Sequence, residues 1–311
     1  MASGSKKVIY AALVGNSLVA TTKFIAAAIT GSSAMLSEGI HSVVDTGNQV
    51  LLLWGDRQSR KPANEQFPFG HGREIYFWSF IVAILIFALG AGFSIYEGIH
   101  HLLHPQSIKD PLVNYIVLGL AIVFEGGSLW VAIRVFKHAK GSRGYFEAVH
   151  SGKDPSLFVV LFEDAAAMAG LLMAFIGIAL GQITGNPAFD GIAAILIGVI
   201  LGGTAIWLAY ETKSLLIGES ADPEIVRTIR KYCLDLPPVK EVNEVLTMHM
   251  GPEFILVNIS VDMADNATAG DIEKAIAVFD QRIKATFPAI KRVFVEAEAR
   301  SRRSRNAPIH T

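Results

Sequence analysis

Long apolar runs fill the first two-thirds of the chain. Residues 8–30 form the first, interrupted only by Lys23, and residues 33–54 follow at once, carrying Glu38, His41 and Asp45. Residues 75–98, 111–133, 156–180 and 188–210 complete a set of six. Each is of the length that crosses a bilayer core, which takes roughly 20 apolar residues as helix. The last two start at Asp154-Pro155 and Asn186-Pro187, a capping side chain before a proline that a first helical turn tolerates. After Tyr210 the period changes. Asp222-Pro223 opens an amphipathic helix that runs to about Leu236 and stops at Pro237-Pro238. Residues 241–250 and 254–263 read as strands joined by a turn at Gly251-Pro252. In the second, Ile255, Val257, Ile259 and Val261 share one face of a half-buried strand. Thr268 with Asp271 has the pattern of a capping box for a helix reaching about Phe287, and residues 291–297 are a last strand. The expected fold is a polytopic α-helical membrane protein. A six-helix transmembrane domain covers residues 1–212, an αββαβ domain 213–300, and a disordered basic tail 301–311.

Composition alone hides this division, because 51% hydrophobic residues and a net charge of −1 suit an ordinary globular protein. The distribution of charge does not. Of the Asp, Glu, Lys and Arg residues, 28 fall in the last 99 positions and only 27 in the first 212. A single water-soluble domain is therefore excluded. The one cysteine, Cys233, has no intrachain partner for a disulfide, and near-neutral charge offers no footprint for nucleic acid. Loop charges set the orientation. Lys6, Lys7, Arg57, Arg60, Lys61, Arg73, Arg134, Lys137, Lys140, Arg143 and Lys153 lie on one side and only Lys109 on the other, which puts both termini in the cytoplasm. The first run lacks a signal-peptide cleavage pattern and no organellar targeting segment is evident, so a bacterial inner (plasma) membrane is the expected location.

An ionisable side chain inside a span costs about 2.5–3.5 kcal/mol on insertion scales and marks function. Glu38, His41 and Asp45 fall on one stripe of the second span, His41 and Asp45 one turn apart. The fifth span offers Asp164, with Glu163 about 100° around the helix and so turned elsewhere. Two helices meeting at His41, Asp45 and Asp164 would supply one nitrogen and two oxygen donors. That set suits zinc and tolerates cobalt, iron(II), manganese or cadmium. Blander readings exist for each charge. A His–Asp pair in a bundle can be a structural hydrogen bond. Glu97, His100, His101 and His104 suit the headgroup region. Lys23 is long enough to snorkel or to neutralise a carboxylate, and Glu163 can pair with it or with a polar group of the fourth span. Glu125, near the middle of that span, resists such a reading. No His-Glu-x-x-His occurs, which argues against a membrane metalloenzyme.

Taken together, the chain resembles the cation diffusion facilitator family. The resemblance is carried by Gly31-Ser-Ser-Ala-Met-Leu-Ser-Glu-Gly-Ile-His-Ser-Val-Val-Asp45, by Phe69-Gly-His-Gly-Arg73 and by Glu97-Gly-Ile-His-His-Leu102. Glu163-Asp164-Ala-Ala and Leu216-Ile-Gly-Glu219 look like the branch that contains animal zinc transporter nine. The resemblance implies six spans with a ferredoxin-like, metallochaperone-like cytoplasmic domain, and a homodimer in the lipid bilayer. It implies no enzymatic activity and no cofactor. The function it implies is export of a divalent cation, zinc foremost, by proton antiport and alternating access. Position by position, it makes His41 and Asp45 the span-two ligands and Asp164 the second span-five ligand. The first span-five ligand falls on Val160, which cannot bind metal, leaving three protein ligands plus water or recruiting Glu38 or Glu163. A loop site keeps His71, but Phe67 stands where a second histidine belongs, with Glu65 the available substitute. The family's histidine-rich cytoplasmic site falls on Asn258, Glu296 and Glu298, with His249 the only histidine in that fold, so weak or no binding is expected there. Arg73 resembles a basic residue that pairs with an acid after the last span, and Glu219 is the candidate. A transport-defective metal-sensing or regulatory protein of the same family is the alternative reading.

Overall fold

The computed structural model describes residues 3–105, 110–140, 144 and 155–299. The basic tail at 301–311, the Asp154 cap and the loop cations Lys109, Arg143 and Lys153 lie outside the described residues. Contacts divide the chain into two units, Met1–Ser59 with Glu74–Lys213, and Arg60–Arg73 with Ser214–Thr311.

The first unit is helical. It contains α1 (Ser3–Thr30), α2 (Ser33–Ser59), α3 (Glu74–Leu85), a π-helical turn (Ile86–Ala91) that continues into α4 (Gly92–Leu103), α5 (Pro111–Lys140), α6 (Pro155–Thr184) and α7 (Ala188–Ile217). Among the described residues, four stretches are long and apolar enough to cross a membrane: Glu74–Leu103, Leu112–Lys137, Phe158–Thr184 and Ala188–Ile217. The helices α1 and α2 match them in length, with 28 and 27 residues, but are not among the four. In α2 the polar stripe of Glu38, His41, Asp45 and Asn48 dilutes the apolar content. Most helices also outrun the apolar stretch that announces them, α2 ending at Ser59 and α5 at Lys140. Hydropathy marks where apolar side chains stop, whereas the backbone ladder continues through polar ones.

Two devices fix the first unit. Gly31, at φ 72°, ends α1 in the left-handed conformation, its N–H donating to Ala27 O at 2.8 Å. The reversal is then pinned by Asp190 of α7, a buried carboxylate. Its Oδ2 accepts from Ser33 N at 2.6 Å, Ser33 Oγ at 2.9 Å and Ala34 N at 3.4 Å, while Oδ1 accepts from Ser32 Oγ at 2.7 Å. Elsewhere α4 and α7 touch backbone to backbone. A Cβ on Gly98 would stand 2.6 Å from Gly191 O, and one on Gly198 would stand 2.6 Å from Ile95 Cγ1 and 2.9 Å from Ala91 O. Small residues permit this approach, which replaces the hydrophobic drive that a lipid surrounding cannot provide.

The second unit contains α8 (Pro223–Leu234), β1 (Val239–Gly251), β2 (Phe254–Met263), α9 (Ala269–Thr286) and β3 (Ile290–Ala297), the expected αββαβ order. The sheet runs β1-β2-β3, with β1 antiparallel and β3 parallel to β2. The central strand turns Ile255, Val257, Ile259 and Val261 into a core shared with Ile229 of α8 and Phe279 and Ile283 of α9. Cys233 belongs to this core, and burial pushes its thiol up to about 11, so it stays neutral and unreactive. Residues 60–73, which hydropathy assigns to the membrane domain as a loop, group with this unit. A Cβ on Gly72 would collide with Met250 O, and Arg73 Nη2 lies 2.7 Å from Met248 Sδ.

The capping box of α9 forms as its pattern predicts: Thr268 Oγ1 accepts from Asp271 N at 3.3 Å and Asp271 Oδ2 accepts from Thr268 N at 3.1 Å. Hydrogen bonds from Thr268 hold the Asp271 carboxyl below its ordinary range. A depressed carboxyl stabilises above the unfolded value, so the box is intact at neutral pH and is lost as pH falls through the folded value. Thr268→Ala should weaken the helix by about 1 kcal/mol. In the full-length protein, amide exchange over Ala269–Thr286 should rise about fivefold, with α8 unaffected.

Candidate functional site

The polar stripe of α2 meets polar groups of α1 and α6. His41, buried, has Nδ1 3.2 Å from Asp45 Oδ1. One turn on, buried Asn48 donates to Glu163 Oε1 of α6 at 2.6 Å, and the Glu163 carboxyl adjoins that of Asp45. Asp164 faces a different helix, its Oδ2 accepting from Ser128 Oγ of α5 at 2.8 Å. The helical wheel thus misplaces Glu163: it does not turn away but is the α6 carboxyl that touches Asp45. The reason is that α6 packs against both α2 and α5, so side chains 100° apart each find a polar neighbour.

Asp45, Glu125 and Asp164 line one small cleft together with Asn16, Ser42, Ser128, Val19 and Ala167. Its volume, about 20 Å³, holds roughly one water-sized sphere. Behind Glu125 stands Lys23, fully buried rather than snorkelling. Its Nζ donates to Glu125 Oε1 at 2.7 Å, Ser42 Oγ at 2.8 Å and Glu38 Oε2 at 3.1 Å. Gly170 of α6 makes room for this group, since a Cβ there would collide with Glu38 Oε1. Lys23 is therefore matched to Glu38 and Glu125, while Glu163 binds Asn48 and adjoins Asp45. Such burial of charge at membrane depth is tolerated only with partners on every side.

A profile of the cation efflux transmembrane domain matches residues 9–217. The chain belongs to the cation efflux, or cation diffusion facilitator, family. Among its relatives is the mitochondrial proton-coupled zinc antiporter SLC30A9 of Xenopus laevis, 37% identical over 261 residues, covering 83% of this chain and 47% of that protein. Metal tolerance protein C4 of Arabidopsis thaliana is 31% identical over 260 residues, covering 83% and 57%. The manganese efflux system protein MneP of Bacillus subtilis is 24% identical over 303 residues, covering 94% and 95%. The higher identity puts the chain on the zinc-transporter-nine-like branch, although it spans only about half the length of the SLC30A9 proteins it matches. Cation efflux proteins are membrane transporters, so the family is not one of enzymes.

The family pattern suggests two outlying sites, one in the loop before α3 and one on the sheet. In the loop, the His71 ring packs on Phe67, centroids 4.5 Å apart, and Glu65 is exposed. In the sheet, His249 pairs with Ile255 at one end of β2, whereas Glu296 pairs with Ser260 near the other. Five residues of strand separate them, about 17 Å. Glu296 accepts from Asn258 Nδ2 at 3.1 Å and Glu298 from Ser260 Oγ at 3.2 Å. Arg73 rests against Gly218, next in the chain to Glu219. Of the histidines expected at headgroups, His100 and His104 are exposed, their tilted rings 4.9 Å apart, whereas His101 is buried with Nε2 3.9 Å from Asp190. Among the described residues, no three His, Cys, Asp or Glu side chains stand close enough together to hold a metal ion, those that line the transmembrane cleft included.

Proposed function

We propose that this protein exports a divalent cation, zinc foremost, in exchange for protons. It works as a homodimer that alternates between inward- and outward-open states, with six spans and cytoplasmic termini. His41, Asp45 and Asp164 ligate the cargo, with Glu163 an auxiliary through Asp45, and the ferredoxin-like domain serves dimerisation rather than cargo binding. The observation that supports this reading is that Asp45 of α2 and Asp164 of α6 line one small cleft. Two carboxylates at membrane depth are stable only when a proton or a cation neutralises them. The Asp45–Glu163 contact makes the same demand, so an arriving dication takes the place of protons, which is antiport in physical terms. The SLC30A9 relatives, proton-coupled zinc antiporters, support zinc and proton coupling. Iron(II), manganese, cobalt and cadmium share enough ligand chemistry to be tested beside it.

The deciding measurement is flux in proteoliposomes. With an acidic lumen, external zinc should enter, and entry should fall to the leak rate when the pH gradient is collapsed. Flux indifferent to the gradient would remove the antiport step. Binding without any flux would favour the sensing alternative, which the valine at position 160 keeps in view.

A further inference from the structure

We infer that Glu125 of α5 is a further ligand of the transported cation, and that Lys23 is a tethered cation that holds this carboxylate until the cargo arrives. The inference rests on the transport reading above and adds two residues to it. Three observations carry it. Glu125 and Ser42, two of the three groups that receive the Lys23 ammonium, line the same cleft as Asp45 and Asp164. Lys23 occupies only one oxygen of Glu125, the Oε1 at 2.7 Å, and Oε2 is buried with no hydrogen-bond partner. A buried carboxylate oxygen left unmade is costly unless something is meant to reach it. Finally, Ser128, one turn after Glu125 on α5, donates to Asp164 Oδ2 at 2.8 Å, so the face of α5 that bears Glu125 already touches the α6 carboxylate.

Charge counting explains why a lysine is built in. A structural ion pair needs one acid for one base, whereas here a single ammonium serves both Glu38 and Glu125. With both carboxyls ionised the trio is net negative, and it points that charge at the cleft. When a dication binds Glu125, the ammonium keeps Glu38 and Ser42 and remains buried and paired. Glu125 changes partner; Lys23 stays. The two cations repel across this carboxylate, so Lys23 also limits how tightly cargo is held and lets it leave. Oxygen donors from Asp45, Glu125 and Asp164, with the Ser42 and Ser128 hydroxyls at the rim, suit manganese as well as zinc, and Glu125 tilts the set toward the harder ion.

The test uses the purified full-length chain in nanodiscs and titrates Zn2+ and Mn2+ separately by calorimetry. Glu125→Gln, nearly isosteric, should weaken Zn2+ at least about tenfold and Mn2+ more, changing the ratio of the two affinities. Lys23→Met should tighten Zn2+ about tenfold and slow its release, Lys23→Arg should restore the wild-type value, and the double variant should resemble Glu125→Gln. If Glu125→Gln binds both ions within about twofold of wild type, the pair is structural and the inference is overturned, whatever Lys23→Met does to folding. Asp45→Ala separates this failure from a deeper one. Unchanged Zn2+ binding in Asp45→Ala would overturn the transport site itself. Loss there, with none in Glu125→Gln, would overturn only the role of Glu125.

Discussion

Replacing Asp45 with alanine is expected to abolish zinc flux into acid-loaded proteoliposomes while the protein stays folded. Asp45 is the junction of the site. It lies 3.2 Å from His41 Nδ1, adjoins the Glu163 carboxyl and lines the same cleft as Asp164. Alanine there leaves a dication short of one full negative charge at membrane depth. An uncompensated charge costs about 2.5–3.5 kcal/mol on insertion scales, roughly a hundredfold or more in occupancy, and the ordered exchange with protons is lost with it. The same substitution removes a carboxyl that abuts Glu163, so the melting temperature of the detergent-solubilised protein should hold steady or rise. That combination, inactive and no less stable, is what a functional carboxylate produces and a structural one does not. Flux retained in Asp45→Ala would remove this residue from the pathway, and with it His41, whose buried ring faces it.

The opposite signature is expected for Asp190. Its carboxylate accepts from Ser33 N, Ser33 Oγ and Ser32 Oγ within 2.9 Å, at the point where the chain turns from α1 into α2. The first N–H groups of α2 have no partner in their own helix, and lipid or protein surroundings supply no water. In Asp190→Ala these donors are stranded, at about 1–3 kcal/mol for each buried group. The expected outcome is a large loss of folded yield and a clear fall in melting temperature. Zinc affinity of whatever fraction folds should be unchanged. Asp190→Asn, which keeps one accepting oxygen, should recover part of the stability. A variant that melts normally but fails to bind zinc would mean that Asp190 belongs to the ion pathway instead.

The legible parts of this protein are those with a period. Alternating Ile255, Val257, Ile259 and Val261 announced β2, and Thr268 with Asp271 announced the start of α9, because both signals are local and cheap to test against backbone geometry. The charged positions inside apolar runs mark α1, α2, α5 and α6, the helices whose polar side chains line the cleft. What the pattern could not supply was which helix lies on each side of another. Glu163 looked averted from the site because a wheel gives angles and not neighbours, and α6 has two polar neighbours. The bond between Lys23 and Glu125 spans 102 residues and leaves no mark at either end beyond an ionisable group in mid-span. Residues 60–73 read as an interhelical loop, since the contact that recruits them to the C-terminal unit depends on Gly72 having no side chain. Apolarity also under-reports α2, whose working residues are the ones that dilute it.

The π-helical turn at Ile86–Ala91 has a consequence for the rod that contains it. Each of its i→i+5 bonds encloses one residue more than the α-helical bonds on either side. One inserted residue advances everything beyond it by about 100° relative to an uninterrupted helix. Before the turn the rod buries a stripe of Tyr76, Ser79 and Val82, and after it Gly98 is delivered to Gly191. The turn is thus a phase shifter between two packing partners. The wide turn absorbs its extra residue, so losing one there would close it to an α-helical turn with the glycine contact still on its seam, whereas losing one between the turn and Gly98 would swing that contact about a quarter-turn off.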